Sequence, residues 1–208
     1  LNALYGGRFV LGLGVSHAPL VADMRGHEYT QPVATMRRYL DAMDRAWKAL
    51  GQDGVAKQLV LAALGPNMSK LAAERTLGSF PYNITPAQAA VSRAQMGAQA
   101  AVICEQKVCL CTDAAAARKA ARAALGPYLP LPNYYKNWFR LGFDEGDLKD
   151  GGSDRLMDAM VLWGDAASIK SRLQPYFDRG ADQVVIQPIK PDGSAGPDWA
   201  ALEALAPK

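Results

Sequence analysis

Four times along this chain a short apolar run gives way to a stretch with helical periodicity, and that alternation limits the possible folds more than anything else in it. The first run is Gly7-Arg8-Phe9-Val10-Leu11-Gly12-Leu13-Gly14-Val15-Ser16-His17. Its apolar part is too short for a helix, and Gly12 and Gly14 disfavour one. Further strand-like runs occupy residues 57–64, 80–85, 101–112 and 182–189. Between them, Val33, Met36, Leu40, Met43, Trp47 and Leu50 recur every three or four residues, the mark of a helix with one buried stripe. Pro66 and Pro86 suit the first positions of two more helices. Asp113 caps an alanine-rich helix to about Leu125, and Asp165 caps another that Gly180 closes. Strand–helix alternation of this kind predicts parallel βα units, and hence an α/β barrel or an open sheet.

In both architectures ligands bind at the carboxyl ends of the strands. The opening run is apolar on both faces, which predicts a strand buried between helices. Ser16 and His17 follow its carboxyl end, so His17 is the natural candidate for hydrogen bonding or proton transfer. A loop histidine that merely holds a turn is the alternative. The turn at residues 62–68, Ala-Ala-Leu-Gly-Pro-Asn-Met, offers small residues and a helix amino terminus, where unpaired N–H groups suit a phosphate. It reads equally as a tight strand-to-helix turn. Neither stretch is a phosphate-binding Walker loop, and GLGVSH lacks the third glycine and acidic partner of a dinucleotide fingerprint. Glu105 and Gln106 interrupt an apolar strand, and Gln187 lies near the end of the last one. Each points into a ligand-facing mouth or marks a break in register.

Composition narrows the function by exclusion. Over 208 residues, 23 basic and 20 acidic side chains leave a charge of +3 with no basic block, so no nucleic-acid surface is expected. No stretch approaches the roughly twenty apolar residues that span a bilayer, and no secretion signal opens the chain. Cys104, Cys109 and Cys111 lack the paired spacing of a zinc site and read as reduced thiols of a cytoplasmic protein. No metal site is expected from His17 and His27, since Asp23 and Glu28 would have to converge on them from a loop. The stretch 126–164, rich in aromatic side chains such as Tyr128, Tyr134 and Trp138, is read as a helical insertion before the last strand. It should pack into the core or a dimer face, with a substrate wall as the alternative.

The run GRFVLGLGVSHAP, followed by Tyr29, Pro32, Met36, Tyr39 and Leu40, resembles the fourth strand and following helix of the bacterial-luciferase-like superfamily. The likeness is closest to its branch of deazaflavin (coenzyme F420) dependent oxidoreductases. LAALGPNMSKLAAERTLGSFPYNITP resembles that family's next strand, helix and strand, and the similarity continues through PYLPLPNYYKNWFRLGF and GGSDRLMDAMVLWGD to GADQVVIQPI. Two departures stand out: Leu77-Gly78 where the family usually has Asp-Gly, and Ser79-Phe80 where it usually has a small residue and histidine.

The resemblance implies a (β/α)8 TIM barrel, of which residues 1–208 hold the fourth to eighth strands as a single domain, the first three strands preceding Leu1. It implies hydride transfer between F420 and a small organic substrate. FMN in a two-component monooxygenase is the alternative cofactor, and a non-catalytic binding protein on the same scaffold the alternative role. It assigns catalysis to His17 and cofactor contact to Gly14, Ser16, His17, Ala62, Ala63, Gly65, Pro66, Asn67 and Met68. A homodimer or higher homo-oligomer is also implied.

Overall fold

The computed structural model of the protein describes residues 1, 4–52 and 58–207. They form two compact units, one of Leu1–Phe80 with Ser92–Val102, the other of Pro81–Val91 with Ile103–Lys208. Every named strand pairing in both is parallel, as the alternation predicts.

The first unit is built on three short strands and the start of a fourth. Strand β1 (Leu11–Leu13) pairs with β2 (Leu59–Leu61), Leu13 opposite Leu61. Strand β2 pairs in turn with β3 (Gly78–Ser79), and β3 with the first residues of β4 (Ala101–Leu110). Hydrogen bonds from Ala62 N–H to the Leu13 carbonyl (2.8 Å) and from Phe80 N–H to the Leu61 carbonyl (2.7 Å) carry the ladder past the strand ends. Helix α1 (Pro32–Ala49) buries Met36 and Leu40, and α2 (Pro66–Arg75) buries Met68, Ser69, Leu71 and Ala72. Both open on proline, which has no N–H to leave unpaired in the first turn. Arg75 ties the two helices together through Asp41 (2.8 Å) and Asp44 (2.7 Å).

The sequence reading needs two corrections here. The opening run is not a strand buried on both faces: only Leu11–Leu13 is extended into the ladder, and Phe9 and Val10 are exposed. It pairs with β2 alone among the described residues, so its second edge has no strand to cover it. Residues 80–85 are not a strand either. The extended pair is Gly78–Ser79, and beyond it Pro81 offers no N–H while Asn83 turns left-handed at φ 54°. The start of the second run, at Lys57, lies outside the described residues.

In the second unit β4 continues and pairs with β5 (Val161–Gly164) and β6 (Gln183–Pro188). Helices α4 (Ala114–Leu125) and α7 (Ala166–Asp178) start on Asp113 and Asp165, whose carboxylates accept from amides of the first turn as expected. Val108, Leu162, Ile169 and Leu205 form the core between strands and helices, the last on α8 (Trp199–Leu205). The insertion is not wholly helical. After α5 (Pro132–Arg140) and α6 (Asp154–Met160), the chain turns directly into β5, an element hidden in the sequence because Met160-Val161-Leu162 continues the apolar pattern of the helix. Residues 81–91, with the start of α3 (Pro86–Met96), also belong to this unit.

Gly78, the residue of the Leu77-Gly78 pair that keeps the family pattern, has a packing reason. A Cβ built there would lie 1.9 Å from the Ala101 carbonyl oxygen, so only glycine lets β3 and β4 approach this closely. At Gly12 the same atom would meet only Val60 Cγ2 at 4.0 Å, an ordinary contact. Gly78→Ala should therefore lower unfolding free energy by about 3 kcal/mol in urea denaturation, whereas Gly12→Ala should change it by no more than about 0.5 kcal/mol.

Candidate active site

The parallel register of β1 and β2 brings the two sequence-predicted site segments to one edge of the first unit. Gly14 follows Leu13 and Ala62 follows Leu61, and a Cβ at Gly14 would sit 3.2 Å from that of Ala62. Gly14 is therefore small because a neighbouring strand is close, whether or not a ligand is. Ser16 adopts φ 61°, a left-handed turn that ends the strand, and its carbonyl accepts the Tyr29 hydroxyl at 2.9 Å. The His17 carbonyl accepts the N–H groups of Leu20 and Val21, both at 3.0 Å, so the loop folds back on the histidine as one helical turn. His17 is half-buried and His27 exposed.

On the β2 side Ala63 and Met68 are buried, while Ala62, Pro66 and Asn67 are exposed and Gly65 half-buried. Gly65 is unlike Gly78. Its backbone is extended (φ −97°, ψ 157°), a conformation open to any residue, and a Cβ there would meet nothing within 4 Å. Neither strain nor packing requires glycine at this position. The turn thus leaves clear space in front of the amino terminus of α2, a ten-residue helix with no side-chain cap, whose first amides have no intrahelical acceptor. This open edge fits a flat or anionic group of the kind a flavin-like cofactor presents.

An apolar cavity of about 220 Å³ lies next to it, bounded by Leu13, Gly14, Val15, Tyr29, Met36 and Tyr39. Ligand pockets generally run from about 300 Å³ upward, so the cavity is smaller than a usual ligand pocket.

The second unit holds a polar cluster that was legible in the sequence only in part. Glu105, Gln106 and Lys107, consecutive on β4, are 4 %, 1 % and 1 % exposed. Alternation along a strand puts Glu105 and Lys107 on one face and Gln106 on the other. Gln106 donates to the Lys107 and Met160 carbonyls (2.7 and 2.9 Å) and meets the buried Tyr176 hydroxyl, a helix-facing tie that explains its burial. On the other face the Lys107 ammonium donates to Glu105 Oε1 (3.2 Å) and to Asn83 Oδ1, and stands 3.9 Å from the centre of the Tyr82 ring. Its three donors are thus all engaged. Glu105 Oε2 accepts the Asn83 N–H at 3.1 Å, and Trp138 Nε1 donates to the Asn83 carbonyl at 2.8 Å.

Burial pushes the Glu105 carboxyl up and the Lys107 ammonium down, each opposed by the charge of the other. Burial and the neighbouring Tyr128 hydroxyl raise Tyr82 well above an ordinary phenol, so it stays protonated. The Tyr82 hydroxyl donates to Gln187 Oε1 (2.9 Å) and lies 3.3 Å from the Tyr128 hydroxyl. Tyr134 stacks on Trp138 with centroids 6.0 Å apart, and both are buried. These insertion aromatics belong to the core, as expected.

Sequence reasoning missed Lys107, Asn83 and Tyr82. The available signal was the i, i+2 spacing of Glu105 and Lys107, which puts opposite charges on one strand face. Cys104 and Cys109 are buried free thiols, pushed by burial up to about 12 and about 11, and no metal-binding group occurs among the described residues.

Residues 1–183 match the model of the luciferase-like monooxygenase family. The chain belongs to that family. A protein of Mycobacterium tuberculosis (strain ATCC 25618 / H37Rv), Rv3520c, provisionally described as a coenzyme F420-dependent oxidoreductase, is 25% identical over 251 residues, covering 89% of this chain and 72% of its own. Among solved structures, the tetrahydromethanopterin reductase of Methanopyrus kandleri, which is coenzyme F420 dependent, superposes with a TM-score of 0.67 at 15% identity, over 96% of this chain and 73% of its own. An F420-dependent secondary alcohol dehydrogenase, solved with an F420–acetone adduct, gives 0.61 at 13% identity, over 92% and 67%. At these identities the structural likeness is one of fold. The luciferase-like chain has the parallel α/β fold of the TIM-barrel class.

Removing one charge of the buried pair leaves the other uncompensated. Lys107→Met should cost about 3–5 kcal/mol in urea denaturation, and adding Glu105→Gln should recover a good part of that loss.

Proposed function

We propose that this luciferase-like protein is an F420-dependent oxidoreductase that moves a hydride between the deazaflavin and a small organic substrate. The observation that carries the reading is the open turn at Gly65, where glycine stands without a structural need, beside Ser16 and His17 on the adjoining strand end. The F420-dependent relatives support the choice of cofactor.

When bound, F420 supplies a two-electron hydride carrier that reacts poorly with oxygen, which favours dehydrogenation or reduction over oxygen insertion. The protein supplies position and electrostatics. The amides of Asn67 and Met68 at the start of α2, together with the positive end of its dipole, would attract an anionic part of the cofactor. Ala62, Ala63, Gly65 and Pro66 keep side chains out of its way, and Gly14 and Ser16 would border it from β1. The His17 imidazole, half-buried at the strand end, would hold or move a proton at its ring nitrogen. No helix among the described residues is long and apolar enough to cross a membrane.

Titration followed by absorbance and fluorescence tests the reading. Micromolar binding of F420 with much weaker binding of FMN is the expected result. Preference for FMN would move the chain to the two-component monooxygenases, and binding of neither to a non-catalytic role. Gly65→Leu, which fills the open space, should weaken F420 binding at least tenfold while unfolding stability changes by less than about 1 kcal/mol. His17→Ala should lower turnover or F420 affinity without altering the unfolding midpoint, and unchanged kinetics and binding would remove His17 from the site.

A further inference from the structure

The cluster around Lys107 takes no part in the site described above, yet its construction exceeds what packing needs. A strand face can be filled with apolar side chains at lower cost than with a lysine, a glutamate and an asparagine, all 4 % exposed or less. Three of its properties define what it would accept.

The first is charge. Lys107 is matched by Glu105 at 3.2 Å, so the cluster has no net charge to offer an anion, and an anionic ligand would have to compete with the Glu105 carboxylate. The second is donor capacity. An ammonium has no lone pair, so Asn83 must turn Oδ1 toward Lys107, which fixes the orientation of the amide. Its Nδ2 is buried and has no hydrogen-bond partner among the described residues, leaving a donor to be satisfied. The third is access. Gln187 is exposed and Tyr82 and Tyr128 are half-buried, so the pair of phenol hydroxyls lies where the cluster meets solvent. The register Lys107↔Gln187 puts these groups on one face of the β4–β6 pair.

The geometry points to a subsite for the uncharged oxygen of a small ketone, aldehyde or alcohol, with the Tyr82 and Tyr128 hydroxyls as its hydrogen-bond partners and the Asn83 amide as a further donor. Gln187, an exposed and rotatable side chain, holds the Tyr82 hydroxyl in the free protein and gives way to the ligand. Lys107, over the Tyr82 ring, is a positioning residue: it fixes the ring. The assignment deepens the proposed oxidoreductase function and rests on it for the claim that the bound molecule is a substrate.

The test uses the full chain with cyclohexanone labelled with carbon-13 at the carbonyl, and with cyclohexanecarboxylate as the anion of similar size. Cyclohexanone should bind, with its carbonyl resonance moved downfield by hydrogen bonding, and the carboxylate should not displace it. Tyr82→Phe with Tyr128→Phe keeps both rings and should raise the Kd for cyclohexanone about tenfold, as expected for two modest hydrogen bonds, and abolish the downfield shift. Tyr128→Phe alone, should the double variant not fold, should raise it about threefold and reduce the shift. No binding of the ketone, displacement by the carboxylate, or an identical response in wild type and variants would overturn the subsite. F420 titrations of the same samples separate the two ideas. A tyrosine-dependent response to cyclohexanone without F420 binding would sink the oxidoreductase reading alone, and F420 binding with no tyrosine dependence would sink the subsite alone.

Discussion

A lysine and a glutamate buried two residues apart on β4 impose the strictest physical condition in the second unit. Each charge taken out of water costs several kcal/mol, and their attraction offsets this only if the remaining donors and acceptors are also met. The fold meets that condition with groups distant in sequence. Asn83 answers both partners, its backbone N–H to Glu105 and its side-chain oxygen to Lys107. Its left-handed backbone, φ 54°, is the geometry in which it does both, and asparagine is among the few residues that adopt it readily. Trp138 then fixes the Asn83 carbonyl, Tyr134 stacks on Trp138, and Tyr82 offers its ring to the remaining side of the ammonium. Asn83 thereby links the insertion aromatics Trp138 and Tyr134 to the buried pair on β4.

In the first unit the comparable constraint is close approach of backbones. Gly78 lets β3 meet β4 where any side chain would collide with Ala101, and Gly14 lets β1 end against Ala62. These contacts set the strand ends side by side and so align Ser16 and His17 with the turn that opens α2. Gly65 shares the residue type but not the reason, since nothing fills the space its side chain would take. A glycine pattern in the sequence mixes these cases, and only the positions of neighbouring atoms separate a glycine that packing requires from one that leaves room.

That distinction marks how far the sequence could be read. Elements set by local chemistry were legible: the proline-initiated helices and the aspartate caps at 113 and 165 follow from one to four residues each. The family, and with it the α/β barrel class, was legible because its motifs recur in order along the chain. Elements set by tertiary context were not. Residues 80–85 have the composition of a strand, but Pro81 and the turn at Asn83 end the ladder after Ser79. Val161–Gly164 looks like the end of a helix and becomes a strand because β4 offers it a partner. Lys107 was passed over because a lone lysine in an apolar run looks like a surface position until its carboxylate, its asparagine and its aromatic ring are found together.

The two polar loci differ in the chemistry they can supply. The edge at Gly65 and His17 offers backbone amides, a helix dipole and one imidazole in an open setting, suited to an extended ligand with an anionic part. The cluster at Lys107 is charge-compensated and largely closed, with neutral hydroxyls at its exposed margin. A hydride-transfer enzyme needs both kinds of surface, since its cofactor is large and charged while its substrate oxygen changes between carbonyl and alcohol without gaining net charge. A phenol that stays protonated can donate to the carbonyl and accept from the alcohol, so one arrangement serves both forms of such a substrate.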